Sequence, residues 1–168
     1  IFGLGGNDVI DGGASTGDEV RYDADSSNGG TLGVTVDLGA GTAIDGFGDT
    51  DTLSNIERVR GTSQDDVLTG DANNNRLRGL AGNDTIDGGD GTFDEADYSG
   101  DVFSGGTLGV NVNLATGTAI DGFGDTDSLS NIETVRGSLF DDTLTGDSGN
   151  NFFRGLDGND IIDGGAGF

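Results

Sequence analysis

A glycine-rich segment occurs three times along this chain, and successive copies are 76 residues apart. The copies span 3–13, 79–89 and 155–165, and each joins a glycine turn to an Asp and then to one apolar residue between polar ones. Repetition at a fixed period is typical of folds in which each repeat buries its apolar side chains against the next. The chain is therefore expected to fold as a stack of repeats.

A shorter period of nine residues runs inside this segment. Three nonapeptides follow one another in 61–87, and three more in 137–163. Six turn residues, in which glycine permits backbone angles that other residues resist, precede a polar–apolar–polar triplet. The pattern predicts a three-residue strand with one inward side chain in each nonapeptide. The inward residues at the eighth position are Leu68, Leu77, Ile86, Leu144, Phe153 and Ile162, with Ile10 in the first copy.

Two nonapeptides are expected to form one coil, with a turn on each side, so that stacked turns lie 18 residues apart in the sequence. Coils then rise by one strand spacing, roughly 4.8 Å. The predicted fold is all-β: a right-handed parallel β-roll, or β-solenoid, with calcium-binding glycine-rich turns. Its core is two columns of single apolar side chains, which is thin, so bound ions must contribute to stability. Glycine recurs too often, and no 3.6-residue periodicity survives, so no helix is predicted.

A longer segment separates the nonapeptide runs in each copy. Residues 31–38 and 107–114 alternate apolar with polar side chains, which predicts half-buried strands. Residues 42–45 and 118–121 suggest a second strand. Residues 46–54 then return to the nine-residue pattern, with Asp51 in the sixth position, as Asp127 is in the second copy.

The repeats divide the chain into units that align without a gap. Residues 1–2 are interpreted as the tail of a preceding repeat, 3–78 as the first unit, 79–154 as the second, and 155–168 as the start of a truncated third. About 50 of the 76 aligned positions in the two full units are identical. We expect one continuous solenoid, taken from a longer array because the sequence starts and stops within the motif.

The charge balance indicates what such a stack needs. The chain has 31 acidic and 7 basic residues, for a net charge of -24. High charge with modest hydrophobicity is normally a signature of disorder, and the strict repeat argues against permanent disorder. The two observations agree if cations are required for folding. Only four acidic residues are Glu, and the short Asp side chain loses less rotamer entropy on a tight turn.

Composition also limits the kind of cation and partner. Cys and His are absent, which disfavours zinc and copper and leaves hard cations such as Ca²⁺, bound by carboxylate and carbonyl oxygens. The negative charge argues against nucleic acid as a partner. No apolar run approaches the length that spans a membrane, so membrane insertion is not expected.

The 18-residue stacking rule selects pairs of candidate ligands. Asp66 should lie above Asp84, and Asp142 above Asp160, so that a Ca²⁺ between each pair relieves the repulsion of two carboxylates. One isolated Asp in such a turn is also explained by an Asx-type hydrogen bond that caps the turn. Because these Asp residues recur in matching register, calcium binding is favoured. On the opposite face a neutral Asn in the sixth position predicts weaker or empty sites. The remaining candidates are Asp8 in the first copy, Asn75 and Asn151 on the weaker face, and Asp18 and Asp94, each one residue late, as partners for that face.

A second acidic cluster has two interpretations that the sequence favours equally: a calcium site or a solvated turn. It contains Asp51 and Asp127, which we include among the candidate ligands. Glu57 and Glu133 are expected to form surface ion pairs with nearby arginines. Tyr22 and Tyr98 are expected to pack over a coil. The other members of the acidic cluster are Asp45, Asp49, Asp121 and Asp125.

The segment 79–89 resembles the repeats-in-toxin (RTX), or haemolysin-type calcium-binding, family. Residues 109–119 and 127–133 look like segments that accompany such repeats in large secreted bacterial proteins. The resemblance implies a parallel β-roll that is unfolded at low calcium and folds outside the cell, commonly after type I secretion. Asn75 and Asn151 depart from the motif where Asp is usual, and Leu80 and Leu156 replace its second glycine, which implies fewer strong sites per unit.

Three functions from different classes follow from these observations. The first is a calcium-rigidified structural segment of an extracellular surface protein of the adhesin, fibre or surface-layer type, which the similarity of the units favours. The second is the secretion and folding tail of an exported toxin or hydrolase. The third is a carbohydrate-binding module, for which no dense aromatic or basic patch is visible. Because the carboxylate pairs recur and no His, Cys or Lys is present, an enzyme is not expected. Expected partners are several calcium ions, with end-to-end self-association or cell-surface and matrix partners as further options.

Overall fold

The computed structural model describes residues 1–167, and it is built almost entirely from short strands joined by turns. Phe168, the last residue of the expected third unit, lies outside the described residues. The first eight strands are β1 (Val9–Asp11), β2 (Glu19–Arg21), β3 (Thr35–Asp37), β4 (Thr42–Ile44), β5 (Thr50–Ser54), β6 (Arg58–Arg60), β7 (Val67–Thr69) and β8 (Arg76–Arg78). The remaining strands are β9 (Thr85–Asp87), β10 (Glu95–Asp97), β11 (Asn111–Asn113), β12 (Thr118–Ile120), β13 (Thr126–Ser130), β14 (Thr134–Arg136), β15 (Thr143–Thr145), β16 (Phe152–Arg154) and β17 (Ile161–Asp163).

The strands form two sheets. The larger sheet has eleven strands in the order β1-β5-β4-β3-β7-β9-β13-β12-β11-β15-β17, and the smaller has six in the order β16-β14-β10-β8-β6-β2. Consecutive nonapeptide strands alternate between the sheets, so each strand pairs in parallel with the one two nonapeptides away. Leu68 faces Ile86 and Val59 faces Leu77, both 18 residues apart. The predicted parallel β-roll with 18-residue stacking is confirmed.

Each unit also contains an antiparallel meander that the sequence did not indicate. β3 pairs antiparallel with β4, and β4 antiparallel with β5; β11, β12 and β13 repeat the arrangement. The connections are tight turns, and a turn of that length joins neighbouring strands only in antiparallel orientation. The strand predicted over 31–38 is shorter than expected, because regular pairing covers only Thr35–Asp37.

The core consists of the two predicted columns of apolar side chains, except that Ile162, which was expected to point inward, is 50% exposed on the edge strand β17. In the larger sheet Leu68, Ile86 and Leu144 are at most 1% exposed, and in the smaller sheet Leu77 and Val135 are fully buried. Strands of three residues show the exposed–buried–intermediate pattern that one inward side chain requires. The interior is thus one side chain wide per strand, as the sequence predicted.

Helical structure is confined to two short segments within residues 1–167: a 3₁₀ turn at Ser26–Asn28 and the single helical turn α1 (Asp101–Ser104). Both occupy the same place in their units, and each ends at a glycine in the left-handed conformation. The expectation of no helix was wrong at these two places, because residues 23–30 and 99–106 lack the nonapeptide pattern. Among the described residues, no helix has the length and apolar character needed to cross a bilayer.

Candidate metal centre

One row of acidic side chains follows the turn edge of the larger sheet. Each member lies immediately before a strand or at the equivalent place in β5 and β13, so the parallel register stacks the members above one another. We refer to this set as the aspartate row; it consists of Asp8, Asp51, Asp66, Asp84, Asp127, Asp142 and Asp160.

Backbone hydrogen bonds connect neighbours in the aspartate row. The Asp66 N–H donates to Asp84 Oδ1 at 2.9 Å, and the Asp84 N–H donates to Asp127 Oδ1 at 3.0 Å. The Asp142 N–H donates to Asp160 Oδ1 at 3.0 Å. The structure therefore brings together both pairs selected by the stacking rule, and it adds Asp127 to the first pair.

The first unit carries the same link between its own members: the Asp8 N–H donates to Asp51 Oδ1 at 3.0 Å. Asp51 and Asp127 are 43 residues from the partners on which they stack, Asp8 and Asp84. The nine-residue pattern placed them in the sixth position, where both side chains are buried and stacked, so a solvated turn is wrong for these two residues. Calcium binding by them stays a prediction.

The aspartate row is interrupted wherever the meander begins. Val34 and Val110 occupy the place of an Asp before β3 and β11, and both are buried. Their N–H groups donate to Asp66 and Asp142 at 2.7 and 2.8 Å. The longest uninterrupted run of carboxylates therefore has three members, from Asp66 through Asp84 to Asp127.

Glycine at the first position of a nonapeptide makes room for the Asp at the sixth. A Cβ added to Gly61 or Gly79 would collide with the carboxylate of Asp66 or Asp84. Gly137 and Gly155 stand in the same relation to Asp142 and Asp160. The turn thus folds back over its own carboxylate, which is why these glycines recur with the motif.

Burial and mutual repulsion make the central run unfavourable for negative charge. Burial raises the pKa of Asp66 to about 6. Burial, together with the charges of Asp66 and Asp127, raises the pKa of Asp84 to about 9. Burial, together with the charges of Asp121 and Asp125, raises the pKa of Asp127 to about 7, although the Tyr98 hydroxyl donates to it at 3.1 Å. The central run therefore needs a proton or a cation near neutral pH.

Some carboxylate oxygens of the aspartate row are free to bind a cation. Both oxygens of Asp66 accept hydrogen bonds, from Thr62 and Val34, whereas Oδ2 of Asp84 and Oδ2 of Asp8 are buried without a partner in the described structure. Buried oxygens of this kind are costly unless paired. In residues 1–167 no three acidic side chains are arranged to hold a metal by themselves. A Ca²⁺ here would take two carboxylates and complete its shell with oxygens of the glycine turns, which suits a hard cation.

A second row follows the turn edge of the smaller sheet, and its chemistry is mixed. The strand register places an Asp, an Asn or a Glu immediately before each strand of this sheet. We refer to this set as the mixed row; in order it contains Asp18, Glu57, Asn75, Asp94, Glu133 and Asn151.

Backbone N–H groups use several side-chain oxygens of the mixed row. Asn75 Oδ1 accepts the Asp71 N–H at 2.7 Å, and the Asn75 N–H donates to Asp94 Oδ1 at 2.7 Å. Asn151 Oδ1 accepts the Asp147 N–H at 2.9 Å. Burial raises the pKa of Asp94 only to about 6. Its Oδ2 and Oδ2 of Asp18 are buried without a described partner, so two candidate carboxylate oxygens remain on this edge.

Glu57 and Glu133 lie in the mixed row, where they were not predicted. Their Oε2 atoms accept the N–H groups of Asp18 and Asp94 at 3.1 Å. The expectation that they form ion pairs with arginines was wrong, because the strand register turns them toward the neighbouring coil. In the part of the chain that the structure describes, the arginine pairs are Arg21 and Arg60 with Asp23, Arg76 with Glu95 and Asp97, Arg78 with Asp97, and Arg21 with Glu19.

A further acidic group lies inside the segment between nonapeptide runs. Asp25 and Asp45 are at most 1% exposed, and the fully buried Asp51 accepts the Tyr22 hydroxyl at 3.3 Å. The tyrosine therefore packs over the coil, as expected, and also makes a polar contact. We refer to these groups as the spacer clusters; the first consists of Asp25, Asp45, Asp51 and Tyr22, and the second of Asp101, Asp121, Asp127 and Tyr98.

Sequence reasoning missed Asp25 and Asp101, although a signal was present. Both occupy the same place in the two units, and their immediate neighbours differ between the units. Asp49 and Asp125, by contrast, are half-buried and accept the N–H groups of Gly6 and Gly82 at 2.9 and 3.1 Å. An Asp retained among changed neighbours was the informative sign.

Fold and site together define a class: a β-roll whose glycine turns present stacked carboxylates to a hard cation. The model of the RTX calcium-binding nonapeptide repeat, which spans four copies of the motif, matches residues 1–16, 57–92 and 136–168, half of the chain. The chain belongs to this family of calcium-binding repeats, and calcium is accordingly its cation. No curated protein matches the sequence. RTX repeats are typical of secreted proteins.

Proposed function

We propose that this chain is a calcium-binding structural segment of an extracellular surface protein of the adhesin, fibre or surface-layer type. It folds and becomes rigid when Ca²⁺ binds between its turns. We propose no catalytic role for it, because its carboxylate pairs recur along a row instead of occurring once. The observation that carries the proposal is the buried run Asp66–Asp84–Asp127, in which an oxygen of Asp84 has no partner among the described residues.

The ligands proposed for the ions follow from the two rows. On the aspartate row the sites lie between Asp66 and Asp84, between Asp84 and Asp127, and between Asp142 and Asp160. The pair Asp8 and Asp51 supplies another, since Oδ2 of Asp8 has no described partner. On the mixed row Asp18, Asn75, Asp94 and Asn151 provide fewer charges, so the sites are weaker.

Calcium would act by removing repulsion that otherwise opposes the fold. A net charge of -24 on 168 residues destabilises any compact state. Each ion present at 100 times its dissociation constant adds about 2.7 kcal/mol to the folded state. Several ions therefore suffice to move the chain from disordered to folded, since native domains are stable by only about 5–15 kcal/mol.

The first test is circular dichroism with and without calcium. In excess chelator the spectrum should be that of a disordered chain, and millimolar calcium should restore strand signal with a smaller hydrodynamic radius. Magnesium serves as the control, because its small octahedral shell fits these turns poorly. Equal strand content in chelator and in calcium would overturn the proposal.

The alternative is that the chain is the secretion and folding tail of an exported toxin or hydrolase. The similarity of the two units, which share about 50 of 76 positions, favours a structural segment, since tandem copies suit extension. The number of units in the whole protein separates the two. Many further copies support a fibre or stalk, in which end-to-end association and cell-surface or matrix partners belong, whereas a neighbouring catalytic domain supports the tail.

A further inference from the structure

The spacer clusters lie outside the residues matched by the nonapeptide family. The match covers 1–16, 57–92 and 136–168, and Asp25, Asp45, Asp101 and Asp121 fall between these ranges. All four side chains are at most 1% exposed. Buried carboxylates are rare unless they are paired, so each cluster requires a compensating partner.

We propose that each spacer cluster is an additional binding site for a hard divalent cation, with Asp25 and Asp45 as its carboxylate ligands in the first unit and Asp101 and Asp121 in the second. This site is distinct from the turns of the nonapeptides. Calcium is the expected occupant, because the available donors are carboxylate, hydroxyl and carbonyl oxygens.

The first argument is the use of each carboxylate oxygen in the first unit. Oδ2 of Asp25 accepts the Gly46 N–H at 3.0 Å, and Oδ1 of Asp45 accepts the N–H groups of Phe47 and Asp49 at 2.9 and 2.8 Å. The other oxygens, Oδ1 of Asp25 and Oδ2 of Asp45, are buried without a partner among the described residues. Each carboxylate is thus fixed through one oxygen and leaves the other free.

The second unit repeats this arrangement atom for atom. Oδ2 of Asp101 accepts the Gly122 N–H at 3.1 Å, and Oδ1 of Asp121 accepts three N–H groups of the following turn at 2.8–2.9 Å. Oδ1 of Asp101 and Oδ2 of Asp121 are again buried and without a described partner. The same two atoms are free in both units, although the segment around Asp101 has changed its sequence.

Close backbone approach holds the two carboxylates together. Gly46 follows Asp45, and a Cβ added to it would lie 2.9 Å from the Cβ of Asp25. Gly122 has the same relation to Asp101, at 2.8 Å. Any side chain at these two positions would push the ligands apart, which explains why both residues are glycine.

Arginine does not supply the missing charge. In the second unit Arg78 lies near Asp101, but its guanidinium is paired with Asp97. In the first unit Asp23 lies near Asp25, and it is paired with Arg21 and Arg60. Each cluster also contains a carboxylate that accepts a tyrosine hydroxyl: Asp51 with Tyr22, and Asp127 with Tyr98. Burial and the neighbouring carboxylates raise the pKa of Asp25, and they raise that of Asp101 to about 8. A proton is therefore the competing occupant, and the experiment separates the two.

The test uses the two tyrosines as reporters. The chain has two Tyr and no Trp, and both hydroxyls lie in the spacer clusters. Tb³⁺ bound there should be sensitised by tyrosine excitation, and calcium should quench the emission by displacement. Tb³⁺ at the aspartate-row sites that use Asp51 and Asp127 is sensitised as well, so the loss of emission in the variant, together with the ion count, reports the spacer site. The variant is Asp25→Asn with Asp101→Asn, which retains size and leaves Asp51 and Asp127 on the aspartate row. Its control is Asp90→Asn with Asp157→Asn, which removes two exposed charges.

We expect the Asp25→Asn/Asp101→Asn variant to bind two fewer calcium ions per folded chain by equilibrium dialysis, with at least a twofold loss of sensitised emission. The control should bind as the unmodified chain does. The single variant Asp101→Asn should lose one ion and, because the first cluster remains, should still fold in calcium. An unchanged ion count in both variants would overturn the proposal and assign protons to the clusters. That result would leave calcium-dependent folding intact, so the two proposals fail separately.

Discussion

The two turn edges of this molecule differ in chemistry although the same nonapeptide builds them. On the larger sheet Asp84 lies between two other carboxylates, and one of its oxygens has no partner among the described residues. On the smaller sheet Asn75 occupies the equivalent position, and its amide oxygen accepts the Asp71 N–H. Nδ2 of Asn75 is also buried without a described partner, but it is a neutral donor and offers no ligand to a cation. The residue at the sixth position therefore decides whether the turn presents a free carboxylate oxygen.

The difference also affects the distribution of negative charge. The aspartate row concentrates three buried carboxylates in consecutive coils, and the mixed row places an amide between Glu57 and Asp94. Repulsion falls steeply when one of three stacked charges is removed. We infer that calcium acts chiefly on the larger sheet and that the smaller sheet, where all seven arginines lie on strands, depends less on it.

The largest effect is expected from Gly79→Ala on the aspartate row. The added Cβ would collide with the carboxylate of Asp84, so the turn must open and the site is lost. Overpacking costs about 1–3 kcal/mol and a lost ion at high saturation about 2.7 kcal/mol, so we expect the free energy of unfolding in calcium to fall by roughly 4 kcal/mol. Urea unfolding at a fixed calcium concentration measures this change.

The matched control lies at the same nonapeptide position. A Cβ on Gly164 meets no atom within 4 Å, so Gly164→Ala should change stability by less than about 0.5 kcal/mol. Equal effects of the two substitutions would show that the glycines serve the turn backbone and not the neighbouring carboxylate.

Asp84→Asn and Asp94→Asn compare the two rows directly. Asp84→Asn removes a carboxylate shared by two neighbours, and we expect about 2.7 kcal/mol less stability in saturating calcium. Asp94→Asn removes a carboxylate that faces an amide on one side, so about 1 kcal/mol is expected. Calcium titration followed by circular dichroism should show a shifted midpoint for the first variant and a small shift for the second. The reverse order would place the principal sites on the smaller sheet.

The pH dependence of the calcium-free chain offers a comparison without mutation. Raised carboxyl pKa values mean that the fold binds protons more tightly than the unfolded chain does. Their stability is present below the unfolded value of 3.8 and is lost as pH rises through about 6 for Asp94 and about 9 for Asp84. In chelator we expect the free energy of unfolding to rise by on the order of 2 kcal/mol on acidification from about pH 8 to 5. The strand signal should increase with it. With calcium bound the trend should reverse, since protons compete for the ligands. A pH-independent spectrum in chelator would show that these carboxyls do not keep raised pKa values in the folded chain.

Sequence periodicity predicted the fold and much of the aspartate row. The 18-residue rule placed Asp66 on Asp84 because nothing interrupts the two nonapeptides between them. It did not predict that Asp127 stacks on Asp84, since a 43-residue excursion separates them and its register depends on the meander. Asp25 was missed for a similar reason: its neighbour Gly46 is distant in sequence, and only the folded turn brings them together. Local repetition fixes local register, whereas contacts across the spacer depend on how that segment folds.

The smallest expected effect comes from adding a carboxylate to the mixed row at the sixth position, where the aspartate row has Asp. The Asn75 Nδ2 is buried without a described partner, and it belongs to the same row as the free Oδ2 of Asp94. Asn75→Asp keeps the oxygen that accepts the Asp71 N–H and replaces an unsatisfied donor by a second ligand. In saturating calcium we expect a gain of about 1 kcal/mol and one more ion per chain.

The same substitution should destabilise the calcium-free chain, since it adds a third charge beside Glu57 and Asp94. Asn74→Asp is the control: its exposed side chain accepts the N–H groups of Thr92 and Phe93 through an oxygen that Asp retains. It adds the same charge outside the row and should leave the calcium midpoint unchanged. If Asn75→Asp weakened the fold in calcium as well as in chelator, the residue at the sixth position could not be what distinguishes the two edges, and the difference would have to lie in the backbone of the turns.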